Sequence, residues 1–191
     1  MIDPFKITDY NRTQDELEEF LLFTICVAGK KATMIASKLE SLLNLGVGTP
    51  FEIISDMIRN ETLEPNLKKV KMGKYGLLSK AFKLVVSSSF DLRNVKPNEL
   101  EIIPGIGKKT SRFFILHSQR NAEVAVIDTH ILKFLNSKNY NAGKTIPTGK
   151  KYNELEKIML KEAKKANMNP ADFDLKIWSH YASGNRGPLY F

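Results

Sequence analysis

The stretch 103-IPGIGKKTSRFF-114 holds two glycines one residue apart, two adjacent lysines, and then the onset of an amphipathic helix. Such residues bind phosphate: glycines admit close backbone approach, while exposed N–H groups at a helix start and flanking ammoniums meet an anion. Two nucleotide-binding patterns fail here. In G-x-x-x-x-G-K-[ST], aligned on Gly107 and Lys108, Lys109 stands where a magnesium-binding Ser or Thr is required, and Ile102 where the first glycine must turn. A dinucleotide fingerprint needs a third glycine at Thr110 and a preceding strand, whereas PNELEII patterns as a helix. What remains is a helix anchored by Leu100, Ile102 and Ile103, a turn at Pro104-Gly105-Ile106-Gly107, and a second helix. A device of this kind grips a nucleic-acid backbone without reading bases.

The elements that must position this stretch are helical. Leu17, Phe20, Leu21, Ile25 and Ala28 recur at helix spacing, as do Ile35, Leu39, Leu42 and Leu43, then Phe51, Ile54 and Ile58, then Leu77, Leu78, Ala81, Phe82, Val85 and Val86. Pro97 suits a first helical turn, and Asn169, Pro170 and Asp172 form a helix start. AEVAVI, residues 122–127, is the one β-like run and reads equally as a buried extended connector. The expected fold is all-α, with nine or ten helices joined by short loops.

Composition narrows the partner. With 42% hydrophobic and 26% charged residues the chain folds rather than staying disordered. Twenty-nine Lys and Arg against 21 Asp and Glu give +8, and the pI near 9.4 favours a polyanion, with nucleic acid first. The basic stretches LKKVKMGKYG and GKTIPTGKK read, taken alone, as solvated surface. A single cysteine, Cys26, excludes an internal disulfide and any four-cysteine zinc or iron–sulfur site. The N-terminus lacks a signal-like pattern and no stretch suits a membrane span, so the expectation is a cytoplasmic, nucleoid-associated protein with no membrane partner.

The combination LEIIPGIGKKTS followed by AEVAVIDTHILKFLN resembles the helix-hairpin-helix DNA glycosylases of the endonuclease III and 8-oxoguanine glycosylase superfamily, which share L-P-G-[IV]-G-x-K-[TV]-A and then V-D-T-H. The similarity is densest over residues 97–136 and runs more weakly back to about residue 17. It implies two helical lobes with the lesion site between them. Residues 11–121 would form a helical-barrel lobe ending in the helix-hairpin-helix at about 97–119, and residues 1–10 plus 122–191 the second lobe.

The resemblance also implies a chemistry. Lys109 matches the lysine that attacks the sugar C1′, expels the base and forms a Schiff base that drives β-elimination; Lys108 lies at the variable position. An ordinary lysine is mostly protonated near neutral pH. Lys108, Arg112, a helix N-terminus and a covering DNA strand would all favour the neutral amine. Asp128, 19 residues after Lys109, matches the aspartate that stabilises the developing oxocarbenium charge. As residues alone, Asp128 reads as the N-cap of THILKFLN and Lys109 as a phosphate contact. Relatives without the lysine use water and cut only the glycosidic bond.

Partner contacts implied in the same way are Gly105, Gly107, Lys108, Thr110 and Lys74 on the DNA backbone. Leu77 in KYGLLSKA would be an apolar wedge, and CVAGKKA stands where a second intercalating loop occurs. Phe113 and Trp178 would wall the pocket for a flipped base. Leu77 and Phe113 read equally well as core or loop packing, and Trp178 reads better as core. The carbonyls of Glu101, Ile103 and Ile106 match those that hold a monovalent or divalent cation at the hairpin. No cysteine follows Cys26, so no iron–sulfur cluster and no required cofactor are expected. The compact archaeal-type 8-oxoguanine glycosylase/lyases fit best, and HYASGNRGPLYF suits a tail folded over a pocket. The expected activity is a DNA N-glycosylase with AP lyase, acting as a monomer on double-stranded DNA and removing 8-oxoguanine. Oxidised-pyrimidine or mismatch glycosylases and a non-catalytic DNA-binding scaffold are the alternatives.

Overall fold

The computed structural model describes residues 2–4, 6–185, 187–189 and 191. Among them are ten helices and no strand. They are α1 (Gln14–Val27), α2 (Ala32–Leu43), α3 (Pro50–Arg59), α4 (Leu63–Lys69), α5 (Tyr75–Ser87), α6 (Pro97–Leu100), α7 (Lys108–Ser118), α8 (Thr129–Ser137), α9 (Gly149–Lys165) and α10 (Pro170–Ala182). Several starts are written in side chains. Thr13 and Glu16 form a reciprocal capping box on α1, Thr49 and Glu52 another on α3, and Asn169 caps α10 with Pro170 in its first turn.

The core divides into two main clusters. The first gathers buried residues from Ile2 to Ile115 around α1, whose Phe20 stacks on Phe114 with ring centroids 5.5 Å apart. The second runs from Ala125 to Tyr181 over α8, α9 and α10, and a small third cluster of Leu116, Val126 and Ala171 lies at the junction. AEVAVI crosses that junction as an extended connector with no strand partner. Ala125, Val126 and Ile127 are buried, and the Tyr152 hydroxyl accepts from Ile127 N–H at 3.0 Å. Its β-like composition therefore reflects burial on both sides rather than sheet pairing.

The segment before α1 reaches the first cluster at two described positions. Ile2 and Ile7 are buried in the first cluster. Arg12 fastens the segment there, donating to the carbonyls of Ile7 at 2.6 Å, Asp9 at 2.8 Å and His117 at 2.8 Å, with its guanidinium 4.0 Å above Phe20. A buried guanidinium needs several acceptors, and these carbonyls supply them.

Candidate active site

The hairpin before α7 is a type II turn. Ile106 N–H donates to the Ile103 carbonyl at 3.0 Å, with Pro104 and then Gly105 between them and Gly105 at φ +88°. That third position requires positive φ and favours glycine. A Cβ on Gly105 would lie 3.3 Å from Leu77 Cδ2, so the first turn of α5 packs against the hairpin. Leu77 keeps 41% exposure there, which makes it a surface residue and not core. Gly107 is different: its backbone is extended, and an added Cβ would meet no atom within 4 Å. Gly105→Ala is expected to cost about 1–2 kcal/mol through the left-handed conformation alone. A thermal melt checks this, and DNA affinity should fall with it.

Lys109 and Thr110 lie half-buried in the first turn of α7. Phe113 and His117 follow Lys109 at four-residue steps and so share its face. Phe113 is half-buried, with His117 edge-on at 4.8 Å and Phe20 at 6.1 Å. Lys108 turns to α9, donating to Asn153 Oδ1 at 3.0 Å. Arg112 does not add its charge to the neighbourhood of Lys109 as expected. It is buried, ion-paired with Glu101 and at 3.1 Å with Glu156, so two carboxylates compensate it.

Asp128 caps α8. Its Oδ1 accepts from His130 N–H at 2.8 Å and Ile131 N–H at 2.9 Å. No described residue hydrogen-bonds Oδ2, so the cap and a free carboxylate oxygen coexist. Trp178 on α10 is 48% exposed, with its ring 6.4 Å from His130 edge-on. It is therefore a surface aromatic beside the Asp128 helix rather than core.

Asp174, four residues before Trp178 on α10, was missed in the sequence. It is buried, and its carboxyl feels the charges of both Asp128 and Lys109. Burial is the main cause that raises its pKa, against the opposing pull of His117. Asp174 Oδ2 is 3.6 Å from His117 Nε2, an ionic contact too long for a hydrogen bond, and that nitrogen has no hydrogen-bond partner among the described residues. On its other side, His117 Nδ1 meets Thr8 Oγ1 at 2.8 Å. His130 Nδ1 and the Tyr181 hydroxyl are also buried without a hydrogen-bond partner among the described residues. Such atoms are rare in folded proteins, and three of them occur on α7, α8 and α10, the helices that carry Lys109, Asp128 and Trp178. A signal existed: an aspartate inside the apolar run ADFDLKIW, and a histidine on the face of Lys109.

An acid whose folded pKa is raised binds more protons folded than unfolded between its two pKa values, so stability falls as pH rises through that window. Asp174→Asn is thus expected to melt above the parent protein near neutral pH. At about pH 3, below the ordinary carboxylate value, the gain should vanish. Paired melts at the two pH values check this.

A groove of about 910 Å³ lies elsewhere, lined by Arg112, Arg120, Asn153, Glu156, Lys157 and Pro170 among others. Its lining includes neither Lys109 nor Asp128, and the placement of charge decides against it as the reaction site. The described end of the chain returns to the second core cluster: Phe191 lies 4.5 Å from Phe173 and 5.8 Å from Phe134, ring to ring. Arg186 and Tyr190 of the tail lie outside the described residues. Among the described residues no three His, Cys, Asp or Glu side chains group as a metal site, and no helix is long and apolar enough to cross a membrane.

A sequence profile of the 8-oxoguanine DNA glycosylase family matches residues 1–168. A Picrophilus torridus protein named 8-oxoguanine DNA glycosylase/AP lyase is 37% identical over 82 residues, 41% of this chain and 37% of its own. A Methanocaldococcus jannaschii protein of the same name is 33% identical over 129 residues, 62% of this chain and 61% of its own. The chain therefore matches less than two thirds of either relative's length. The crystal structure of the Methanocaldococcus jannaschii 8-oxoguanine glycosylase/lyase with a 15mer DNA containing 8-oxoguanine superposes with a TM-score of 0.69 at 22% identity, covering 95% of this chain and 87% of that one. At that identity the likeness establishes a shared helical fold.

Proposed function

The chain belongs to the 8-oxoguanine DNA glycosylase family, and from that membership we propose that it excises 8-oxoguanine from double-stranded DNA and then cleaves the strand as an AP lyase. The observation that carries the reading is that α7, with Lys109 in its first turn, and α8, capped by Asp128, both pack on α10, which carries the buried Asp174. An amine at the start of one helix and a carboxylate at the start of another, both packed on a third, are the pair of groups that a nucleophilic glycosylase needs.

In this reading the flipped nucleotide enters beside Phe113 and Trp178, while Leu77, braced on Gly105, takes the space it leaves. The neutral amine of Lys109 bonds to C1′ as the glycosidic bond breaks. The electron pair leaves with the base, which takes up a proton. The Asp128 carboxylate stabilises the cationic sugar; the nitrogen, now bonded to C1′, gives up a proton, the C1′–O4′ bond opens as O4′ takes up a proton, and the resulting iminium loses a 2′ proton as the 3′ phosphate departs. Gly107, with open space before it, and Thr110 lie where the hairpin would meet the backbone. The chemistry draws on no cofactor, and a cation on the carbonyls of Glu101, Ile103 and Ile106 would serve the backbone grip only. The proposal includes a monomer acting in the cytoplasm. The related names, which carry both glycosylase and AP lyase, support the bifunctional class over the monofunctional one.

The test is borohydride trapping on a panel of duplexes containing 8-oxoguanine, thymine glycol, uracil or an abasic site. Adducts are expected with 8-oxoguanine and the abasic site. Base release without nicking would indicate a monofunctional enzyme, and preference for thymine glycol would reassign the lesion. No adduct on any duplex would refute the lyase.

A further inference from the structure

Two loops meet near Leu77, one after α1 and one between α4 and α5, and lysines lace them together. Lys30 Nζ donates to the Met72 carbonyl at 2.5 Å, and Lys74 Nζ donates back to the Ala28 carbonyl at 3.2 Å. Lys38 Nζ, from α2, donates to the Lys71 carbonyl at 2.6 Å. Lys30 also lies 3.5 Å from where a Gly73 Cβ would stand, so glycine leaves the room its ammonium occupies.

Lys30 lies within range of the charges of the other two. Burial, and then the charges of Lys74 and Lys38, lower the pKa of Lys30 against an upward pull from Cys26. Among the described residues none of the three forms a salt bridge. Nearby Lys68, by contrast, is paired with Glu64 at 2.8 Å. Carbonyl dipoles satisfy the N–H donors but leave the charge uncompensated. Three mutually repelling ammoniums held together without an anion are a prepared anion site, because charge-assisted bonds to phosphate are stronger than those to a neutral carbonyl.

We infer that Lys30, Lys38 and Lys74 form one seat for backbone phosphates of the DNA that passes Leu77. Phosphate oxygens there take the ammoniums over from the carbonyls of Met72, Lys71 and Ala28. The inference rests on the reading of the protein as a DNA-acting enzyme. It gives a shared task to the two loops, CVAGKKA and the start of KYGLLSKA, which resemble intercalating segments. Capture of the backbone would unlace them from each other at the point where the wedge must enter.

The experiment is the salt dependence of duplex binding by the full chain, as log K against log salt, for the parent protein and for K30Q/K38Q/K74Q. Glutamine removes the charge but keeps an N–H donor for the carbonyl. The slope should become shallower by about 2–3 for the triple variant and by about 1 for each single variant, and should not change for Lys68→Gln. The triple variant loses like-charge repulsion, so it should melt no lower than the parent. Should it fail to fold, the single change Lys38→Gln, at a half-buried position, decides by the same slope. Unchanged slopes in a protein that still binds duplex overturn the seat and leave the enzymatic reading standing. Failure of the parent to bind any duplex removes both. If inorganic phosphate alone raises the parent's melting temperature as far as the duplex does, the seat belongs to free phosphate instead.

Discussion

Lys109→Gln is expected to abolish the borohydride-trapped complex and to slow strand cleavage by roughly 10³ or more. An amide nitrogen cannot attack C1′ or form an iminium, so loss of the covalent route removes on the order of 4 kcal/mol of barrier lowering. Lys108 cannot step in: adjacent helical residues point about 100° apart, and its ammonium is held on Asn153 of α9 at 3.0 Å. Lys108→Gln should accordingly keep the adduct. Lys109 forms no salt bridge with a described residue, so its replacement should shift stability by no more than about 0.5 kcal/mol. Single-turnover nicking and a thermal melt on the same preparations check both halves. If Lys109→Gln and the parent protein gave equal adduct yields, the nucleophile would have to be sought elsewhere.

The second large effect separates two jobs of one carboxylate. Asp128 Oδ1 caps α8 through the N–H groups of His130 and Ile131, and its charge faces the sugar in the proposed reaction. Asparagine caps helices about as well as aspartate, whereas alanine forfeits about 1 kcal/mol. Asp128→Asn should therefore melt like the parent protein while base release falls by about 10²–10³, the size seen when an electrostatic stabiliser is removed. Asp128→Ala should lose the same activity and also melt lower, by about 2–4 °C for a chain of this size. Matched melts with opposite activities, read on 8-oxoguanine duplex, distinguish the catalytic role from the cap. An active Asp128→Asn would reduce Asp128 to its structural part.

The features that were legible in the sequence are local ones. Asn169 with Pro170 and Asp172 marks a helix start because a cap and its partner lie within one turn. The hairpin was legible for the same reason, since Pro104 and Gly105 alone specify a type II turn. Asp128 could be read both as a cap and as a site carboxylate, and the structure bears out the cap, made through Oδ1. What escaped depends on contacts distant in sequence. Arg112 seemed to offer a charge to Lys109, yet Glu101 and Glu156 enclose it from both sides. Ile2 and Ile7 carry no mark of which core they join, and Arg12 settles it through a carbonyl as far away as His117. Asp174 and His117 lie 57 positions apart and meet only when α10 packs on α7. Of the three lysines that lace the loops only Lys74 stood out in the sequence, as a DNA contact, because carbonyl partners leave no trace in residue type. Cys26 shows the reverse: a lone cysteine invites a chemical reading, but burial pushes its thiol up to about 12 and leaves it inert as a nucleophile.

The central claim is that Lys109 is the nucleophile in a lyase that acts on 8-oxoguanine. Borohydride reduction on an 8-oxoguanine duplex, followed by nuclease trimming, proteolysis and mass spectrometry of the cross-linked peptide, tests it in one measurement. The account predicts a sugar remnant on the side-chain nitrogen of Lys109. A remnant on Lys108, on the N-terminal amine or on any other lysine would contradict it.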